Sequence, residues 1–153
     1  MRIAFLSIVV LLSCFCSAQS GSEKEITALV DRFFQAMADR DTLALNSIMT
    51  DEGIFHSVAP GRPARSTTHD QFIRDIGMAE GKILERYWEP EIWVGEGIAT
   101  LHAEYDLHFG GKFSHCGTDV FLFVQTADGW QISGGVFNMK REGCVESPLG
   151  PVK

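Results

Sequence analysis

Residues 98–121 read IATLHAEYDLHFGGKFSHCGTDVF, and their alternation decides the fold. From Ile98 to Phe109 every second residue is apolar or small: Ala99, Leu101, Ala103, Tyr105, Leu107 and Phe109. Thr100, His102, Glu104, Asp106 and His108 point the other way. Side chains on a strand alternate between its faces, so this is a half-buried strand. Gly110-Gly111 supplies a two-residue hairpin turn. Lys112 to Gln125 forms the returning strand. Asp128-Gly129 turns the chain again, and Trp130 to Lys140 closes the sheet. Upstream, Ile83 to Val94 reads as a strand interrupted at Pro90, turned by Gly95-Glu96-Gly97. The second half of the chain is therefore an antiparallel meander.

The first half is helical. Ser22 and Glu25 form a capping box. Ile26, Leu29, Val30, Phe33, Phe34 and Met37 follow at helical spacing and make one wide apolar face. Asp39-Arg40-Asp41 ends this helix, and Asp41 caps a short second one carrying Leu43, Leu45, Ile48 and Met49. Asp51-Glu52-Gly53 turns the chain into a short strand, Ile54 to Val58. Pro60, Gly61 and Pro63 make a loop. Thr68 to Gln71 is a second capping box, opening a helix with Phe72, Ile73 and Ile76 inside that stops near Gly77. Helices followed by a meander give an α+β class. A strongly bent sheet wraps the helices and leaves a cone between them, with a bulge expected at Gly134-Gly135.

The leading helix ITALVDRFFQAMADRD (26–41) and the closing pattern DGWQISGGVF (128–137) resemble the nuclear transport factor 2-like superfamily, the SnoaL-like or cystatin-like α+β cone. GKFSHCGTDVF (111–121), REGC (141–144) and PLGP (148–151) look similar to an exported bacterial subgroup described as lumazine-binding. The resemblance spans essentially the whole chain after its leader. It implies N-terminal helices packed in the concave face of a bent antiparallel sheet. The superfamily includes isomerases, dehydratases, epoxide hydrolases, carrier domains and adaptors without ligands, so the fold does not fix the function. No residue match carries over any one enzyme's catalytic set.

The chain opens MRIAFLSIVVLLSCFCSAQS, with Arg2 before the apolar run Ile3–Leu12 and small residues approaching Ala18. That is the layout of a secretory signal peptide over residues 1–18. The cone domain then spans 19–145, and 146–153 is a surface tail with two prolines. Export to the periplasm or outside the cell is the expectation. The rival pattern, LLSC, makes Cys14 a lipidated anchor with Phe15–Gly21 as tether, and only then is a membrane a partner. Loss of the leader removes Arg2 and leaves 12 basic against 20 acidic residues. There is no basic stripe, so nucleic acid is not expected as a partner. Cys116 and Cys144 remain, an even pair in an oxidising compartment. The Asp128-Gly129 hairpin places Cys116 opposite Arg141, three residues short of Cys144. This predicts a Cys116–Cys144 disulfide within the Cα separation such a bond allows.

A two-residue loop at Gly110-Gly111 sets the register of the central hairpin. It places Tyr105 opposite Cys116, Ala103 opposite Thr118 and Leu101 opposite Val120 on the apolar face. On the polar face it places Asp106 opposite His115 and His102 opposite Asp119. Cys116 and His115 then point apart, which disfavours a Cys–His nucleophile. His115 and Asp119 sit about 13 Å apart along the strand. The catalytic candidates are therefore the pairs His115–Asp106 and His102–Asp119, with Gly117 leaving space between them. Such pairs are either surface charge pairs, or a histidine oriented by a carboxylate for acid–base work near neutral pH. His102, Glu104, Asp106 and His115 offer alternating imidazole and carboxylate groups that suit zinc or manganese, but HAEYDLH is no specific metal motif and no metal is assigned.

Candidate ligand-lining residues are Phe33, Phe34, Phe55, His56, Trp88, Tyr105, Thr118 and Phe137. The phosphate-cradling, dinucleotide, zinc-protease and nucleophile-elbow motifs are all absent, so no cofactor is expected. Phe113, Phe121 and Phe123 share the polar face in this register, which suggests cover by a second copy in a homodimer. The expected function is binding of a small, largely apolar ligand in the cone. The alternatives are a cofactor-independent isomerase, dehydratase or hydrolase using a His–carboxylate pair, and a homodimeric interaction module.

Overall fold

Helix α1 (Val9–Asp39) lies across a single six-stranded sheet, with its apolar stripe from Ile26 to Met37 buried against it. The computed structural model describes residues 9–152, with side chains from Gly21 onward. The expected leader over residues 1–18 thus falls outside the described residues at 1–8, and outside the described side chains beyond. α1 is continuous from Val9, so Ser22 and Glu25 lie inside the helix and do not cap its start. Among the described residues no helix is long and apolar enough to cross a membrane.

Arg40, at φ 56°, breaks the helix, and Asp41 caps α2 (Thr42–Ile48) by accepting from the Ala44 N–H at 2.9 Å. β1 (Met49–Val58) follows at once. The expected turn at Asp51–Gly53 is instead an irregular stretch of this longer strand. β2 (Arg65–Thr68) pairs with β1 at the sheet edge. Its residues RSTT are polar and largely exposed, so no alternation announced it. Thr68 caps α3 (His69–Gly77) as expected. β3 (Ile83–Val94), β4 (Ile98–Phe109), β5 (Lys112–Thr126) and β6 (Gly129–Asn138) form the meander. The sheet order is β2-β1-β6-β5-β4-β3, antiparallel except where β1 runs parallel to β6.

Besides the one in β1, three irregularities bend the sheet. One lies at Glu89-Pro90 in β3. One lies at Ser133 in β6, just before the expected Gly134-Gly135. The third lies at Ser114 in β5 and changes the faces of the site. His108 pairs with Phe113 and Phe109 with Lys112, as a two-residue turn requires, but Leu107 pairs with His115. Ser114 is an extra residue, its Oγ 3.0 Å from His115 Nδ1. A one-residue shift turns every later side chain to the opposite face.

The expected pairings are therefore corrected. Asp119 lies opposite Ala103, Gly117 opposite Tyr105 and His115 opposite Leu107, all on the concave face. Cys116 lies opposite Asp106 and Val120 opposite His102, on the convex face. Phe121 and Phe123 turn inward and are buried, which removes them as surface cover for a second copy. Phe113 alone stays exposed.

The Cys116–Cys144 disulfide is present, with a Cα–Cα distance of 6.0 Å. The backbone of Cys116 exchanges two 2.9 Å hydrogen bonds with Lys140, one residue short of the expected Arg141. The bond fixes the segment after β6 against the convex side. Arg86 Nη1 donates to the Gly150 carbonyl at 2.8 Å and holds the tail there too.

Candidate functional site

The bent sheet, α1 and α3 enclose a cavity of about 270 Å³. Helical spacing in α1 delivers Phe33 and Phe34 to it. β1 delivers Phe55, α3 delivers Phe72, and β5 and β6 deliver Phe121 and Phe137. The Phe33 ring is the hub, with centroids 5.4–5.9 Å from Phe34, Phe55, Phe72 and Phe121. These contacts are mostly edge-to-face or tilted, the favoured geometries for aromatic rings.

Four polar side chains break this apolar wall: Glu85 from β3, Tyr105 from β4, and His115 and Asp119 from β5. Glu85 is inward because it pairs with Leu107. It keeps partial accessibility since it faces the cavity, while protein packs round its carboxyl. Glu85 and Asp119 meet within hydrogen-bond reach. Burial pushes Asp119 up to about 7, partly offset by the hydrogen bond from Glu85. Burial also holds Glu85 well above the usual carboxylate range, reinforced by the charge and hydrogen bond of Asp119 and by Asp106. Two carboxylates cannot both ionise at this separation in such surroundings, so the pair shares a proton.

The Tyr105 hydroxyl is pushed up by burial, then by Asp119 and Glu85, and donates to the Asn138 carbonyl at 2.8 Å. That carbonyl fills the space above Gly117; a Cβ there would stand 2.0 Å from it. Gly117 is thus a close-approach glycine, not open space. Burial, then Arg141, lowers His115, which is neutral at pH 7. Asp119 is 5% exposed, and among the described residues it has no hydrogen-bond donor other than the proton shared with Glu85.

Of the sequence candidates, Phe33, Phe34, Phe55, Tyr105, His115, Asp119 and Phe137 line this cavity. The others do not. Asp106 is on the convex face, where Arg86 Nε donates to it at 2.8 Å and His108 approaches at 3.5 Å. His102 is there too, 3.4 Å from Glu91. Thr118 donates to Glu104 at 2.8 Å, and Trp88, opposite Glu104, is buried apart from the main core. His56 is exposed and pairs with Ser66 on β2. The pairs His115–Asp106 and His102–Asp119 are therefore split across the sheet, as is the set His102, Glu104, Asp106 and His115. Among the described residues no group of three or more His, Cys, Asp or Glu is placed to hold a metal ion.

Glu85, Phe72 and His69 were missed from sequence. His69 is fully buried, with Nδ1 2.6 Å from the Thr50 carbonyl, and burial lowers it, so it is a neutral donor. Gly53 makes room for its ring. The signal for Glu85 was the phase of β3: Ile83, Glu85 and Tyr87 alternate with the outward Arg86.

The sequence matches no protein-family profile and no curated protein. Solved structures do match. A nuclear transport factor 2-like protein from Cytophaga hutchinsonii superposes with a TM-score of 0.67 at 10% identity, over 77% of this chain and 98% of that one. A candidate dehydratase of the same family from Streptomyces avermitilis gives 0.64 at 19% identity, over 81% and 99%. A superfamily protein from Salmonella enterica serovar Typhimurium gives 0.66 at 15% identity, over 83% and 96%. At these identities the likeness is one of architecture: among the described residues, three helices on a curved, open six-stranded sheet, which is the nuclear transport factor 2-like cone fold.

Proposed function

We propose that the protein is an exported binding protein that takes up a small, largely apolar molecule in the cone. The observation that carries this reading is the aromatic cavity with its small set of convergent polar groups, the usual composition of a ligand pocket. Export is supported by the leader pattern over residues 1–18 and by the Cys116–Cys144 bond, which belongs to oxidising compartments. A fused heterocycle of lumazine size is one candidate ligand, on the resemblance of residues 111–121. The test is thermal unfolding against a panel of heterocyclic, steroid-like and polyketide-like compounds. A ligand at a hundred times its Kd adds about 2.7 kcal/mol and raises Tm by several degrees. No shift with any compound overturns the reading.

A second reading, acid–base catalysis without a cofactor, is favoured by one observation: a carboxyl in the cavity with its pKa near neutrality. The pair that would do the chemistry is Glu85–Asp119, replacing the His–carboxylate pairs. Turnover of an isomerisable or dehydratable compound, lost in Asp119→Asn, would establish it. Self-association is supported by Ile54, Leu122 and Val136, exposed and adjacent on the convex face. A monomeric mass by sedimentation at high concentration removes it.

A further inference from the structure

We propose that the cavity selects a cation: a small hydrocarbon or aromatic body carrying a protonated amine, whose N–H groups meet the Glu85 and Asp119 carboxyls. This rests on the ligand-binding reading above and names the ligand class.

Two independent observations carry it. The first is Asp119 itself: its side chain is 95% buried, lines the cavity and, among the described residues, meets no donor other than the proton it shares with Glu85. One shared proton serves one of its two oxygens, and a buried acceptor left without a donor costs roughly 1–3 kcal/mol, so the site is incomplete as it stands. The second is charge. Two carboxyls sharing one proton leave a net negative charge among phenyl rings, and among the described residues no Lys or Arg lines the cavity. Arg86 is on the convex face with Asp106, and Arg141 acts on His115.

A neutral donor would satisfy the oxygen and leave the charge. An ammonium satisfies both, and charge-assisted hydrogen bonds are about twice as strong as neutral ones. The rings of Phe33, Phe121 and Tyr105 add faces that attract a cation. An anionic ligand meets like charge at the same point.

Three compounds of one shape test this by calorimetry on the purified, disulfide-intact protein: phenylbutylamine, phenylbutanol and phenylbutyrate. The amine is expected to bind at least tenfold tighter than the alcohol, with the carboxylate weakest. In Glu85→Gln/Asp119→Asn the amine's advantage disappears and the alcohol still binds. Equal or tighter binding of the alcohol or the carboxylate overturns the cation selectivity and leaves the apolar pocket standing. An advantage that survives in the double variant overturns the assignment to these carboxyls. If none of the three binds, the cation site falls, while the apolar pocket is decided by the heterocycle panel. Should the double variant not fold, the wild-type ranking alone decides.

Discussion

Leu107 lies opposite His115, although its neighbour His108 lies opposite Phe113. The residue between Phe113 and His115, Ser114, is all that separates a polar convex surface from a polar cavity. Without it His115 and Asp119 would face solvent and Cys116 would point into the cone, away from Cys144. Deletion of Ser114 is therefore expected to abolish the disulfide and the fold. Thiol titration of the denatured, unreduced variant should find two reactive thiols from Cys116 and Cys144, against none in the parent. A variant that keeps the disulfide and a cooperative transition would contradict this account.

The limits of the sequence lie at this same residue. The α1 face was legible because Ile26 to Met37 repeat at helical spacing, and the Asp41 and Thr68 caps because a short acceptor side chain stands just before each helix, where it takes the N–H three residues on. On β5 neither phase is uniformly apolar. The true inward set mixes His115, Gly117 and Asp119 with Phe121 and Phe123, so hydrophobicity could not pin the phase against the turn rule. The two phenylalanines held the correct signal. Glu85 was hidden by its neighbour: Glu85-Arg86 looks like an ordinary surface charge pair, yet the two point to opposite faces of a bent sheet.

The disulfide closes a loop through β5 and β6, with a sequence separation of 28. Chain entropy puts its worth at about 3–4 kcal/mol. Cys116→Ser/Cys144→Ser should lose that much in urea unfolding, as should the parent in reductant. Equal midpoints with and without reductant would show that the tail adds nothing.

Asp119 carries a pH signature. Its carboxyl sits at about 7 in the folded protein against an ordinary value of 3.8. A raised acid holds its proton in the folded state after the unfolded chain has lost it. Its contribution is therefore full below the unfolded value and is lost as pH rises to about 7, at up to about 1.4 kcal/mol per pH unit. The groups facing it are Glu85 on β3 and Tyr105 on β4, with Asp106 behind the sheet. α1 and β6 present Phe33, Phe34, Met37 and Phe137. His115, being lowered, gives the opposite slope below its ordinary value of 6.5. The difference between wild type and Asp119→Asn reports the carboxyl together with its effect on Glu85. That difference should move against wild type from about pH 5 to pH 7, then flatten as far as Glu85 allows. A constant difference would mean that Asp119 titrates as a surface carboxylate.

Gly117 ties the cavity to the end of the sheet. The Asn138 carbonyl occupies the place of its missing Cβ and accepts the Tyr105 hydroxyl, while Asn138 Oδ1 accepts the Thr118 N–H at 3.2 Å. Gly117→Ala puts a methyl 2.0 Å from that carbonyl, an overlap only backbone movement relieves. It should cost about 1–3 kcal/mol, as overpacking does. Tyr105→Phe removes the donor and leaves the ring, and should cost about 1 kcal/mol. The two changes act on one contact, so in the double variant the loss should fall short of the sum of the singles. Additive losses in urea unfolding would mean that Asn138 is held in place without Tyr105.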